Sequence, residues 1–155
     1  MLPARMQDQG RWLRDQLRAL GSGRRLDVGC GTGRQLGPGD VGIDVDAARV
    51  AAARERSRLV AVADARHLPF TDGAFGTAYA IRMLNDTGSV DVALREIRRV
   101  LAPGGRLLVY TRARRADGDR LDPDNGLARL GAHFRAVREL ADPEDSGGVL
   151  FVAEG

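Results

Sequence analysis

The sequence predicts an α/β fold built on an open, doubly wound, mostly parallel sheet, and three observations carry that expectation. Short apolar runs alternate with amphipathic stretches along the chain. The first of those runs feeds directly into a glycine-rich turn, Gly29-Cys30-Gly31-Thr32-Gly33. The length of 155 residues, with 43% hydrophobic and 29% charged residues, fits a single folded domain and lies outside the composition of disordered chains.

The elements follow in order. From Arg5 to Leu20, Met6, Leu13, Leu17 and Leu20 recur at helical spacing, and Gly21-Ser22-Gly23 stops the helix. Leu26-Asp27-Val28 reads as a buried strand entering the glycine turn. Only Arg34 to Asp40 separate that turn from the next strand, Val41 to Asp44, and Gly37-Pro38-Gly39 lies among them. A full crossover helix does not fit there, and at most one turn forms near Thr32 to Leu36. A helix over Ala47–Arg56 and a strand over Leu59–Ala63 come next. Phe75–Ile81 reads as the fourth strand, and Val90–Leu101 as a helix with Ser89 as its N-cap, ended by Pro103-Gly104-Gly105. Arg106–Tyr110 is the fifth strand. A short helix near Gly126–Leu130 leads to strands at Phe134–Glu139 and Val149–Ala153. These readings divide residues 1–155 into a leading helix (1–22), a ligand-binding half (24–112) and a C-terminal half (113–155).

Composition excludes several functions. The 24 basic residues, all Arg, against 21 acidic ones leave a net charge of +3. Only Arg112, Arg114, Arg115 and Arg120 approach a cluster, so a nucleic-acid partner is not favoured. One Cys and two His exclude an internal disulfide and a Cys- or His-based metal site, and no metal is expected. No apolar run reaches the roughly 18–20 residues of a membrane span, and the first residues lack the apolar core of a signal peptide, which places the protein in the cytoplasm.

Ligands of open α/β sheets settle at the carboxyl ends of the strands, where loops offer N–H groups. The dinucleotide pattern G-x-G-x-x-G, started at Gly29 and Gly31, needs a third glycine at position 34, which is Arg34. The observed spacing is instead Asp27-x-Gly29-x-Gly31-x-Gly33. An acidic residue before the loop repels a pyrophosphate and suits a ligand with a cationic end, so Asp27 and Arg34 both disfavour a dehydrogenase.

Leu26–Gly33 resembles motif I of the class I S-adenosylmethionine-dependent methyltransferases, in the small-molecule, type 11-like branch. Further pieces stand in that family's order. Asp44, within Gly42-Ile43-Asp44-Val45-Asp46, matches the acidic residue that takes both ribose hydroxyls. Asp64-Ala65, with Leu68-Pro69-Phe70 beyond, matches the loop that holds adenine. Glu96–Leu107 resembles the helix and turn before the fifth strand. The resemblance covers about residues 20 to 112 and implies a Rossmann-like seven-stranded sheet whose last strand is antiparallel. It implies S-adenosylmethionine as cofactor and S-adenosylhomocysteine as product, held by Asp27, Gly29, Cys30, Gly31, Gly33, Asp44, Val45, Asp64, Ala65 and the backbone near Ala80 and Ile81. Asp27 serves the methionine end, often through water. The reaction implied is in-line displacement at a sulfonium methyl.

The chain also departs from that pattern. Gly76 follows Phe75 where many relatives carry Asp, and Leu84-Asn85-Asp86 stands where a Leu-His-His run is frequent. The catalytic residues are therefore unassigned. Asp86 and His67 are candidates for a base, beside the plainer readings of a turn residue and a solvated loop residue. His133 reads as a packing or surface residue and Cys30 as a small buried filler. Arg82 and Arg112, after the fourth and fifth strands, either pair with an anionic acceptor or stay solvated. With few insertions the active site should be shallow unless a second subunit or a partner protein covers it. The reading that leads is methyl transfer to a small molecule or exposed side chain. A non-catalytic module of the same fold and an RNA methyltransferase stay open.

Overall fold

A computed structural model describes residues 10–84, 89–112 and 120–155. Its strands are β1 (Arg25–Val28), β2 (Val41–Asp44), β3 (Val60–Val62), β4 (Phe75–Ile81), β5 (Leu101–Arg112), β6 (Ala136–Ala141) and β7 (Gly148–Glu154). The helices are α1 (Arg11–Leu20), α2 (Ala47–Ala53), α3 (Val90–Val100) and α4 (Gly126–Gly131). All seven strands form one sheet in the order β3-β2-β1-β4-β5-β7-β6. Strands β1 to β5 pair in parallel, and β7 runs antiparallel to both β5 and β6. The expected mostly parallel sheet with an antiparallel last strand is the one observed. None of the described helices is long and apolar enough to cross a membrane.

Alternation along the central strands sorts side chains to two faces. Ala78, Ala80, Leu107 and Val109 join Leu94, Ile97 and Val100 of α3 and Leu130 of α4 in the main core. Tyr79, Leu108 and Tyr110 point the other way, onto Leu13 and Leu17 of α1. Near the sheet edge, Val50 and Ala53 of α2 close over Cys30 and Val60. The sheet is therefore covered on both faces, as parallel strands require.

Several boundaries differ from the sequence reading. Helix α1 begins at Arg11, where Gly10 before it takes a left-handed φ of 84°; the earlier part of the expected span, from Arg5 and including Met6, lies outside the described residues. With no side-chain cap of its own, α1 is capped from afar: Glu144 accepts from the N–H groups of Gly10 and Trp12 at 3.1 and 3.3 Å. Ser89 occupies the N-cap of α3 without a side-chain cap bond. Strand β5 begins at Leu101, since Ala102 to Gly105 form an irregularity opposite Phe75 to Thr77 and the strand simply continues past it. Strand β6 is shifted two residues downstream of the expectation.

The first crossover contains turns and no helix. Asp40 takes over part of the missing helix's task. It is 3% exposed and its carboxylate accepts from Arg25 Nε and Nη2 at 2.8 and 3.0 Å, from Tyr79 Oη at 2.9 Å and from the Gly37 N–H at 2.8 Å. The turn is thereby bolted to β1 and β4 by charge-assisted bonds.

At the opposite side of the core, Gly126 lies so close to Phe151 that a Cβ there would enter the ring. Gly126→Ala is expected to cost about 1–3 kcal/mol through overpacking, read as a lower urea midpoint with an unchanged slope.

Candidate functional site

The carboxyl ends of β1, β2 and β4 open into a cleft of about 450 Å³. Its walls are Gly29, Ile43, Asp44, Val45, Arg49, Ala63, Asp64, Ala65, Arg66, Ile81, Arg82 and Met83. This lies where the strand order reverses around β1, the place such sheets reserve for ligands.

The loop after β1 is shaped by its backbone. Gly29 has φ 76°, and a Cβ there would stand 2.6 Å from the Cβ of Met83, so only glycine fits. The N–H groups of Gly29 and Cys30 both donate to the Ile43 carbonyl at 2.8 Å, folding the loop across the end of β2. Asp44 then closes the corner. Its Oδ2 accepts from the Gly31 N–H and its Oδ1 from the Asp46 N–H, each at 2.9 Å. Asp46 in turn caps α2 by accepting from the N–H groups of Ala48 and Arg49. The carboxylate of Asp44 is thus held in one orientation on the cleft wall while each oxygen keeps a further lone pair for a ligand hydroxyl.

Asp27 sits beneath the loop, 2% exposed, with no hydrogen-bond donor among the described residues. Burial, and then the neighbouring Asp40 and Asp44, push its carboxyl well above the usual range. A buried carboxyl without a donor is costly when ionised and is relieved by a cation brought within reach. Cys30, beside it, faces Val50 and Ala53, and burial raises its thiol to about 12, so it stays a neutral filler.

Asp64 is pinned differently. Its carboxylate accepts from Arg66 Nη2 at 2.6 Å and from the Arg66 N–H at 2.8 Å. That bonding to Arg66 lowers its pKa, so an incoming amino group would share Asp64 with a guanidinium.

Of the residues singled out by sequence, the structure brings Gly29, Asp44, Val45, Asp64, Ala65 and Ile81 together on the cleft wall. Asp27, Cys30, Gly31, Gly33 and Ala80 are not on that wall; Gly31 contributes through its bond to Asp44. His67 is exposed and does not line the cleft, although its N–H donates to the carbonyl of Asp64 at 2.9 Å, and Asp86 lies outside the described residues. His133 meets Asp91, Nε2 to Oδ1, at 3.0 Å. No cluster of described residues has the makings of a metal site.

Arg49, Arg66 and Met83 line the cleft without having been foreseen. Arg49 had a signal, since the third residue of a helix capped by Asp46 returns toward the preceding strand end. Met83 had none, because its place depends on the turn after β4. Arg82 there has φ 57°, the one positive φ of a non-glycine residue among those described.

A family model described as Methyltransferase domain matches residues 26–109, which contain every one of these cleft residues. The chain is 33% identical over 110 residues to Sterol 4-C-methyltransferase strm-1 of Caenorhabditis elegans, covering 61% of this chain and 33% of that protein. It is 33% identical over 108 residues to Probable tRNA methyltransferase 9B of Mus musculus, covering 65% of this chain and 24% of that protein. The chain therefore spans a third or less of the length of these two relatives. Among solved structures, a SAM-dependent methyltransferase from Thermotoga maritima, titled a possible histamine N-methyltransferase, superposes with a TM-score of 0.76 at 19% identity, covering 96% of this chain and 95% of that one. That likeness shows the fold. With the family model spanning more than half of the 155 residues and the cleft lying within its bounds, the chain belongs to the methyltransferase domain family.

Proposed function

We propose that this chain transfers a methyl group from S-adenosylmethionine to a small molecule or an exposed side chain, releasing S-adenosylhomocysteine. The observation that carries the reading is Asp44, a carboxylate 7% exposed and oriented by two backbone N–H groups on the wall of the cleft at the switch point. A vicinal diol matches such an acceptor, and a ribose carries one.

The remaining residues fit the same ligand. Asp27 is a buried carboxyl without a cationic or donor partner among the described residues, which an ammonium supplies directly or through water. Asp64 and the buried Ala65 form the far wall, suited to a flat ring with an exocyclic amine. When bound, S-adenosylmethionine supplies an electrophilic methyl on a sulfonium. The chain's own part is to hold that group and an acceptor at attack distance. Both carboxylates on the cleft wall already accept hydrogen bonds, which suits an acceptor that reaches the site with a free lone pair.

Isothermal titration with S-adenosylhomocysteine tests the reading. Binding in the micromolar range is expected, with S-adenosylmethionine competing for the same site. Absence of binding to both nucleosides would leave only the non-catalytic fold module.

A further inference from the structure

A second cavity, of about 480 Å³, adjoins the cleft and shares Ile81 and Arg82 with it. It is walled by α1, by the far end of the glycine loop and by the turn between β6 and β7. Three carboxylates and three guanidinia face it, and their pairing is uneven.

The carboxylates are all engaged within the protein. Glu144 caps α1. Asp142 accepts from Tyr110 Oη at 2.6 Å and from the Glu144 N–H at 2.8 Å. Asp145 takes Arg112 on both oxygens, Nε to Oδ2 at 2.6 Å and Nη2 to Oδ1 at 2.9 Å, which neutralises that arginine. The other two guanidinia have no such match. Arg34 is exposed and makes no ion pair or hydrogen bond with a described residue. Arg82 reaches Asp145 only at 4.0 Å and lies over the Tyr110 ring, 5.6 Å from its centre. It is held there by a strained backbone, fixed by its N–H donating to the Tyr110 carbonyl at 2.9 Å. The side-chain oxygen of Gln35, also on this wall, is buried without a donor.

We propose that this second cavity is the acceptor subsite, and that it takes a small molecule bearing an anionic group, carboxylate or phosphate, held between Arg82 and Arg34. An N–H or O–H on the same molecule satisfies Gln35. The proposal rests on the methyl-transfer reading, because the acceptor is placed beside the cofactor cleft. The carboxylate oxygens are turned to N–H and O–H donors of the protein, whereas Arg34 is unpaired among the described residues and Arg82 is held only loosely, so an oxyanion finds its donors on these two guanidinia, and a planar fork suits either oxyanion.

The test uses the protein saturated with S-adenosylhomocysteine. Phenylacetate, phenyl phosphate, phenylacetamide and phenethylamine are titrated in turn and followed by ligand-observed NMR. One or both anions should bind at least about tenfold more tightly than the amide and the amine, and the better of the two names the source of the charge. Arg34→Gln should weaken the anion about tenfold. Since Arg34 is exposed and makes no ion pair or hydrogen bond with a described residue, that variant should fold, and its affinity for S-adenosylhomocysteine should stay within about threefold of the parent. Arg82→Gln should weaken the anion more than it weakens the nucleoside. Absence of preference for the anions, or of binding by any of the four, overturns the proposal. So does an equal loss of nucleoside affinity in Arg34→Gln, which would give that arginine to the cofactor. Displacement of the anions by an oligoribonucleotide with steep salt dependence overturns it in favour of RNA. A parent protein that fails to bind S-adenosylhomocysteine sinks the methyl-transfer reading itself, whereas nucleoside binding without anion preference sinks only the subsite.

Discussion

Asp44→Ala is expected to lower the affinity for S-adenosylhomocysteine by at least about a hundredfold. Two hydroxyl bonds to a carboxylate are lost together, each worth roughly 1.5–3 kcal/mol when one partner is charged. The same change removes the acceptor for the N–H groups of Gly31 and Asp46. Leaving those N–H groups unpaired should cost about 1–3 kcal/mol of stability. Binding and folding are therefore both affected, and Asp44→Asn separates them. The amide keeps one acceptor oxygen, so one of the two loop N–H groups stays paired while the NH₂ faces the other N–H and one hydroxyl; stability should recover in part, and affinity less. Calorimetric titration beside urea unfolding reads both quantities. Unchanged affinity in Asp44→Ala would remove the ribose from this wall of the cleft.

The elements read correctly from sequence were those whose signal is local. Strand β4 is bounded to the residue, since Phe75 and the run Ala78 to Ile81 mark both its ends, and the glycine turn is legible because Gly29 answers to a backbone requirement. Asp44 ends the short strand β2, and what singles it out in the sequence is the family resemblance. Contacts between distant residues were not visible. Asp40 meets Arg25 and Tyr79 across 15 and 39 residues, and Glu144 caps a helix more than 130 residues upstream. No periodicity announces such pairs. The turn Pro103-Gly104-Gly105 was understood as a helix stop, but its absorption into β5 depends on the neighbouring strand. The cleft's arginines and Met83 depend likewise on how turns aim side chains, and Arg82 owes its aim to a backbone conformation that its residue type does not suggest.

Asp27→Asn should act in opposite directions on the free protein and on its complex. In the free protein the carboxyl is buried near Asp40 and Asp44 without a donor among the described residues, and its pKa lies well above the ordinary value. The folded state thus holds the proton to higher pH than the unfolded state does. Stability from this group is full below the unfolded pKa and falls as pH rises through the folded one. Above the unfolded pKa this group lowers stability, and an amide of the same shape removes that cost. Asn at this position should raise stability by about 1–2 kcal/mol at pH 7, a rise of roughly 2–8 °C in Tm, with little change at acid pH. Binding should move the other way. An ammonium near Asp27 favours the ionised carboxyl, so the parent protein should bind S-adenosylhomocysteine more weakly as pH falls through the raised pKa of the free protein, and should release a proton on binding below that pKa. The Asn variant should lose about tenfold in affinity at neutral pH and much of that pH dependence. Melting curves and titrations at several pH values check both halves. A variant that is stabilised yet binds with the parent's affinity and pH profile would make Asp27 a buried remnant with no part in holding the ligand.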